Sequence, residues 1–142
     1  AVAAGGGMLD IMKVAMRPGK PVKVGRLGRA LFLGLPGNPN ATLVAFRMMA
    51  LPALRKLAGI TRTSPAWLPA VADFSYEKRL GRTEFIPVRR TSDDADGQIC
   101  VSMLGRGSSA SLRSIAAAEG IAMLQPDVTA INKGMPLQVE IF

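Results

Sequence analysis

The sequence predicts an α/β unit followed by a small β-rich domain, and three observations lead to this fold class. A continuous apolar run at residues 30–35 ends in the turn Pro36-Gly37-Asn38-Pro39, and a helical pattern with an apolar stripe follows it. Short strand patterns separated by turn residues fill the chain from residue 67 onward. Residues 60–65 lie between the two patterns as a linker. The 142 residues therefore accommodate one ordinary domain or two small ones.

The first unit opens with short extended segments at residues 12–16 and 22–24, on either side of the turn Arg17-Pro18-Gly19-Lys20-Pro21. Proline fixes φ in such a turn, and glycine adopts dihedrals that other residues avoid. The run at residues 30–35 has no polar position, which is typical of a strand buried on both faces of a parallel sheet. We therefore expect this run to be a buried strand under helical cover.

A helix is predicted directly after that strand. Asn38 is a favoured N-cap residue, and Pro39 suits the first helical position. Pro52 should kink or split the helix because it cannot donate a backbone hydrogen bond, and Gly59 is the expected stop. The apolar positions that step by three or four, and so form the expected buried stripe, are Leu43, Phe46, Ala50, Leu54 and Leu57.

The second unit reads as short strands with one helix between them. Turn residues such as Gly81 and Asp96-Gly97 separate the strands, and Gly120 is expected to end the helix. This pattern predicts a β-barrel or a sandwich of roughly 75 residues. The expected strands are residues 67–72, 84–90, 98–103, 121–124 and 137–142, and the expected helix is residues 111–119.

Composition narrows the function classes. The absence of histidine excludes a Ser-His or Cys-His nucleophile pair and a histidine metal site, and no metal site is predicted. The net charge of +8, from 18 basic and 10 acidic residues, favours an anionic partner. Nucleic acid is not the expected partner, because aromatic residues for base stacking are scarce.

Cysteine usage and hydropathy indicate the compartment. Cys100 is the single cysteine, so no disulfide forms within the chain, and its alternating surroundings favour a half-buried strand position. No apolar stretch approaches the roughly 20 residues of a membrane helix. The start of the chain lacks the basic segment of a signal peptide and reads as the interior of a longer protein. We expect a soluble cytoplasmic protein without membrane contact.

Two sets of residues are candidates for anion binding. Residues 36–39, here called the 36–39 loop, join a strand to a helix whose first amides lack intrahelical partners. This loop is either a ligand-binding loop or only a rigid helix entry. Lys13, Arg17 and Lys20 form the second set. Lys13 and Arg17 are an even number of residues apart, so on an extended strand their side chains point to one face, and Lys20 leaves the turn two residues after Pro18. They could surround a phosphate or oxyanion, or form a solvated basic edge.

Two runs at this spacing resemble the MoeA family of molybdopterin molybdenumtransferases, whose eukaryotic relative is the gephyrin E domain. They are Val14-Ala15-Met16-Arg17-Pro18-Gly19-Lys20-Pro21 and Gly34-Leu35-Pro36-Gly37-Asn38-Pro39. Gly81-Arg82-Thr83-Glu84-Phe85, and Gly107-Ser108 before a short helix, resemble the family's C-terminal domain, so the resemblance covers essentially the whole chain.

The resemblance implies an α/β fold and a domain division. Residues 1–62 would be the C-terminal half of a MogA-like molybdopterin-binding domain, a mixed sheet plus helix, and residues 63–142 a small β-barrel domain. The family's acidic residues for catalysis and Mg²⁺ would lie outside this chain, and no catalytic residue is assigned within it. A barrel position that holds arginine in some relatives falls on Pro87, and Arg89 is the expected substitute because it shares the strand face of Pro87.

The resemblance also implies a function. The parent would be a cytoplasmic enzyme that uses Mg²⁺ to insert molybdate into adenylylated molybdopterin and release AMP, while this fragment alone would be inactive. It would form a homodimer and work with a molybdopterin adenylyltransferase. The alternative is a non-catalytic molybdopterin-binding or scaffold module. The expected substrate-binding residues are Lys13, Arg17, Lys20, Pro36, Gly37, Asn38, Pro39 and Ser108.

Overall fold

The computed structural model describes residues 3–12, 14–19, 22–93, 97–105 and 112–142. After a 3₁₀ turn at Ala3–Gly5, the first unit forms a three-stranded sheet and one interrupted helix. The sheet is antiparallel throughout, with strand order β1-β3-β4. Its strands are β1 (Met8–Met12), β3 (Val22–Leu27) and β4 (Ala30–Gly34), and the short β2 (Met16–Arg17) lies outside it.

Two strand predictions in this unit were wrong. The segment expected at residues 12–16 is divided, because β1 ends at Met12 and β2 begins only at Met16. The run at residues 30–35 is not a strand buried on both faces. It forms β4, an antiparallel edge strand whose Leu31 and Phe32 side chains are exposed. An apolar run shows that burial is favourable, but it does not show whether another element covers the strand.

The helix entry and exit follow the local signals. The side chain of Asn38 accepts hydrogen bonds from the amides of Asn40 (3.1 Å) and Ala41 (3.2 Å), which makes it the N-cap of α1 (Pro39–Ala45). At the other end Gly59 has φ +78°. Its amide and that of Ile60 bond back to the carbonyls of the last helical turn, which is a Schellman stop.

Pro52 divides the helix, as predicted. A π-helical segment (Phe46–Ala50) joins α1 to α2 (Leu51–Leu57), and the amide of Leu51 bonds to the carbonyl of Phe46. This wider turn precedes the proline, which could not have donated a regular helical hydrogen bond.

The predicted apolar stripe was largely wrong. Leu54 and Leu57 are 51% and 71% exposed, and Ala50 is the buried member of the predicted set. The buried helical side chains are instead small or branched ones, mainly Val44 and Ala45. The π turn rotates the residues after it about the helix axis, so a stripe read with one regular period does not stay on one face.

The second unit is a closed five-stranded barrel and not a sandwich. Strand order β7-β8-β5-β11-β9 is closed by pairing of β9 with β7, and a separate small ribbon pairs β6 with β10. One short helix, α3 (Leu112–Ala116), lies between β8 and β9. The strands are β5 (Leu68–Ala72), β6 (Tyr76–Glu77), β7 (Thr83–Asp93), β8 (Ile99–Met103), β9 (Gly120–Leu124), β10 (Ala130–Ile131) and β11 (Pro136–Ile141).

All five strands predicted for the second unit are present, with ends that differ by a few residues, whereas β6 and β10 were missed. Cys100 lies half-buried in β8 as a free thiol. The predicted helix at 111–119 is shorter, and its first residue, Ser111, is outside the described residues. Gly120 does not end that helix but begins β9, where a side chain would meet the backbone carbonyl of Glu140.

The two units share a core. Strand β2 pairs in parallel with β7, so that Met16 is opposite Thr83 and Arg17 opposite Glu84. Trp67 stacks on Phe85 with ring centroids 6.3 Å apart. The prediction of an α/β unit followed by a barrel is thus confirmed, while the boundary between residues 62 and 63 stays a prediction. The shared buried cluster consists of Met16, Val22, Val44, Ala45, Phe85 and Ile121.

A buried ion pair also connects the helix to the barrel. Arg47 donates two hydrogen bonds to Glu140 on β11, at 2.6 and 3.2 Å, and its guanidinium lies 4.8 Å from the ring centre of Phe142. The Glu140 side chain is 4% exposed, so the contact with Arg47 offsets the cost of burying its carboxylate. Among the described residues, no helix has the length and apolar character needed to cross a membrane.

We predict that Arg47→Ala lowers the free energy of unfolding by about 3 kcal/mol, because it leaves the Glu140 carboxylate buried without a cation. Urea denaturation measures the change. Lys133→Ala is the control, since the Lys133–Asp73 pair is exposed and screened by solvent, so its loss is expected to change stability much less than the loss of Arg47. Equal effects of the two substitutions would contradict the importance of the buried pair.

We also predict that Gly120→Ala destabilises the barrel by about 2 kcal/mol, through overpacking between two paired strands. An added Cβ would lie 2.6 Å from the carbonyl oxygen of Glu140, so the backbone must move. Gly37→Ala is the matched control: its Cβ meets nothing within 4 Å and should change stability by less than about 0.5 kcal/mol. Thermal or urea unfolding of both variants decides the matter.

Candidate functional site

A cleft of about 300 Å³ lies where the two units meet. Its walls come from the turn at residues 16–19, the first turn of α1 and strand β7. Polar side chains from both units reach it, which is typical of a ligand site between domains. The polar residues that line the cleft are Arg17, Asn38, Asn40, Tyr76, Arg82 and Glu84.

Glu84 organises one wall of this cleft. Its side chain is 5% exposed, and its two oxygens accept hydrogen bonds from different partners. The Arg17 guanidinium donates to one oxygen at 3.2 Å, and the Tyr76 hydroxyl donates to the other at 2.9 Å. Arg17 remains 53% exposed, so most of its donors face the cleft and solvent. The carboxylate therefore orients a guanidinium that can still bind an anion.

The meeting of Arg17 and Glu84 follows from strand pairing. The two residues are opposite each other in the parallel β2–β7 pair, and the amide of Thr83 donates to the carbonyl of Ala15 at 3.1 Å. Backbone pairing therefore places the basic turn of the first unit against the barrel, independently of the side-chain contact.

Tyr76 is a fixed hydrogen-bond donor. Burial, then its hydrogen bond to Glu84 and the nearby Glu84 charge, raise the pKa of Tyr76 above its ordinary value near 10, while Arg17 opposes this rise. The hydroxyl therefore keeps its proton throughout the neutral pH range. It holds Glu84 in place and does not act as a base.

The 36–39 loop contributes to the cleft through Asn38. Pro36, Gly37 and Pro39 are not among the cleft-lining residues in the described part of the chain. The Asn38 side chain already accepts the amides of Asn40 and Ala41, and the Thr42 hydroxyl donates to the carbonyls of Pro36 and Asn38. The first helical amides are therefore occupied, and an anion in this cleft would depend on side-chain donors.

Asn40 has unused hydrogen-bonding capacity at the cleft. The residue is 7% exposed, and its Oδ1 atom has no hydrogen-bond partner among the described residues. A buried amide oxygen without a partner is unfavourable by about 1–3 kcal/mol. A ligand group or water that donates to this oxygen would remove that penalty.

The predicted binding residues are only partly brought together. The structure places Arg17 and Asn38 on one cleft. Lys13, Lys20 and Ser108 lie outside the described residues, so their binding roles stay predictions. Pro87 lines the cleft, and the barrel arginine that lines it as well is Arg82, not the expected Arg89.

Sequence reasoning assigned no role to four of the polar cleft residues. Arg82 and Glu84 belong to a run that carried the family resemblance, so their spacing was available as a signal. Tyr76 and Asn40 carried no signal, because their contacts depend on a missed strand and on the closure of the cleft.

The described residues do not fit a magnesium site. They contain no group of three or more acidic, cysteine or histidine side chains that could hold a metal ion. Glu84, a carboxylate at the cleft, already binds Arg17 and Tyr76. Mg²⁺ prefers several oxygen ligands in octahedral geometry, which this wall does not supply.

Family models match most of the chain. The family described as "MoeA C-terminal region (domain IV)" matches residues 69–142, and "Probable molybdopterin binding domain" matches residues 1–56. The two matches follow the order of the α/β unit and the barrel along the chain.

Individual relatives agree with these matches. Molybdopterin molybdenumtransferase 2 of Mycobacterium tuberculosis is 34% identical over 131 residues, which cover 92% of this chain and 31% of that protein. Molybdopterin molybdenumtransferase of Haemophilus influenzae is 39% identical over 80 residues, which cover 56% of this chain and 20% of that protein. The chain therefore spans less than a third of the length of these curated relatives.

A solved structure supports the same fold. The molybdopterin biosynthesis MoeA protein from Pyrococcus horikoshii superposes with a TM-score of 0.78 at 24% identity, covering 95% of this chain and 32% of that one. Since the family model for the C-terminal region spans more than half of the chain and the fold agrees with it, this chain belongs to the MoeA family.

Proposed function

We propose that this chain is the C-terminal part of a molybdenum-cofactor biosynthesis enzyme, a molybdopterin molybdenumtransferase. The reaction proposed for the complete enzyme inserts molybdate into adenylylated molybdopterin and releases AMP. Similarity to curated enzymes of that name supports the proposal. The chain alone contributes binding groups and is expected to be inactive.

The observation that carries the proposal is the placement of Arg17 at the cleft. Glu84 holds this guanidinium from one side, and the cleft leaves its remaining donors open. Arginine binds tetrahedral oxyanions and phosphates through a planar set of donors. Both molybdate and the phosphate groups of the pterin are anions of this kind.

The residues of this chain would bind and orient the substrate. Arg17 would hold an anionic group, and the free oxygen of Asn40 would accept a hydrogen bond from a neighbouring polar group. Lys13, Lys20 and Ser108 are proposed to contribute further contacts. Pro36, Gly37, Asn38 and Pro39 are proposed to form the rigid rim of the site.

Other components of the reaction are proposed to lie elsewhere. Mg²⁺ would be held by acidic residues outside this chain, since the described residues offer no set of ligands for it. We propose a cytoplasmic homodimer that receives its substrate from a molybdopterin adenylyltransferase.

In the complete enzyme, we predict that Arg17→Ala lowers molybdate-dependent AMP release by about a hundredfold or more, since a charged donor aimed at the reacting anion is lost. Chromatographic detection of AMP measures the rate. Arg26→Ala is the matched control, because Arg26 is exposed on β3, away from the cleft, and this variant should keep its activity.

Two results would contradict parts of the proposal. Unchanged turnover in Arg17→Ala would remove Arg17 from the substrate site. A complete protein that binds molybdopterin but releases no AMP under any condition would be a binding or scaffold module instead of an enzyme.

A further inference from the structure

A cavity of about 370 Å³ lies where the interrupted helix, the linker and the last barrel strand meet, and it shares no lining residue with the cleft. The helix contributes Arg47 and Arg55 to its walls, the linker contributes Arg62, and β11 contributes Glu140. Three guanidinium groups thus line the cavity with one carboxylate, which leaves an excess of two positive charges.

The carboxylate in this cavity is already paired. Arg47 donates to one oxygen of Glu140 through Nη2 at 2.6 Å and to the other through Nε at 3.2 Å. Neither Arg55 nor Arg62 forms an ion pair with an acidic side chain in the described part of the chain. Their two positive charges are therefore left for a ligand.

Arg55 and Arg62 keep most of their hydrogen-bond donors. Arginine carries five N–H donors in a fixed planar arrangement. Arg55 uses one of them, from Nη1 to the carbonyl of Thr63 at 3.4 Å, while the exposed Arg62 has no hydrogen-bond partner among the described residues. Because Thr63 follows Arg62 in the chain, this contact keeps the Arg55 side chain next to the segment that carries Arg62. Ser64 adds a hydroxyl group to the same lining.

The backbone around these arginines is held at both ends of the linker. At its start, the amide of Ile60 donates to the carbonyl of Arg55 at 2.9 Å, which fixes the linker to the end of the helix. Just beyond its other end, Trp67 stacks on Phe85 of the barrel. A binding surface that is positioned before the ligand arrives loses less entropy on binding.

The apolar part of the lining favours an organic acid over an inorganic anion. Ile60 and Ile141 line the cavity and are 48% and 38% exposed. A short carbon chain against these side chains is removed from water, which is favourable, whereas sulfate gains nothing from this contact. Because a water molecule takes up about 30 Å³ in the liquid, the cavity of about 370 Å³ accommodates a chain of several carbon atoms.

We propose that this cavity binds a small dicarboxylate, with one carboxylate on Arg55 and the other on Arg62. The charge of such an acid matches the excess of two positive charges. Guanidinium groups bind carboxylates through two parallel hydrogen bonds, and Arg47 already binds Glu140 through two bonds in the same cavity. The proposal goes beyond the proposed function, because it involves neither the cleft nor the molybdopterin reaction.

The proposal is tested by titrating the chain with glutarate, butyrate and sulfate at constant ionic strength, with calorimetry and ¹⁵N NMR of the arginine side chains. Butyrate has a single carboxylate, and sulfate has two charges but no carbon chain. Glutarate is expected to bind at least about tenfold more tightly than butyrate, since it makes a second set of charged hydrogen bonds. It is expected to bind at least about threefold more tightly than sulfate, since its carbon chain is buried.

Arg55→Ala and Arg62→Ala should each weaken glutarate binding by about tenfold, because each removes charged hydrogen bonds. Arg62→Lys should restore little of the loss, since lysine keeps the charge but not the planar donors. Ile60→Ser should weaken glutarate binding by about threefold and leave sulfate binding unchanged. Arg26→Ala, which removes an exposed arginine of β3 outside the cavity, should bind like the unchanged chain. Circular dichroism checks that each variant keeps its fold.

Three outcomes would overturn the proposal. Equal glutarate affinity of Arg62→Ala and Arg26→Ala, or equal affinity of the unchanged chain for glutarate and sulfate, would mean that the arginines attract anions only through diffuse charge. Glutarate binding that persists in both cavity variants and is lost in Arg17→Ala would place the acid in the cleft. Because the readout is direct binding and the variants leave the cleft intact, a failure here does not affect the AMP-release test of the proposed function.

Discussion

The buried carboxylate of Glu84 is the constraint on which the cleft depends. It lies on the barrel, yet its hydrogen-bond partners are Arg17 from the α/β unit and Tyr76 from the β6–β10 ribbon. A carboxylate with so little exposure is strongly unfavourable without a cation or donors. The basic turn must therefore remain against β7 for the fold to be stable. The contact between Arg17 and Glu84 thus both stabilises the fold and positions the guanidinium for binding.

A second buried ion pair joins the helix to the last strand of the barrel. Arg47 lies within the π segment and reaches Glu140 on the last strand, with Phe142 beneath its guanidinium. The π turn precedes Pro52, which disrupts regular helical hydrogen bonding. The arginine of the stabilising ion pair therefore lies in the same stretch of helix as this disruption. Such turns are frequent at functional positions of helices, and here the turn carries the arginine that holds helix and barrel together.

Sequence reasoning succeeded where the cause was local. Asn38, Pro52 and Gly59 act through their own backbone neighbours, so the helix start, its division and its stop could all be predicted. It failed where a distant segment decides the outcome. The exposure of β4 depends on which elements cover it, and the contacts of Tyr76 depend on how the barrel closes. Only part of the cleft could therefore be predicted. Arg17 and Asn38 belong to turns that the sequence makes recognisable, whereas Asn40 does not.

The shared core has a consequence for how such chains can evolve. Val22 and Val44 from the α/β unit pack in the same buried cluster as Phe85 and Ile121 from the barrel. Recombination that joined this barrel to an unrelated domain would leave those faces without partners. Substitutions in the cluster must instead be compensated across the linker, so the two units are expected to be inherited together rather than exchanged as independent modules.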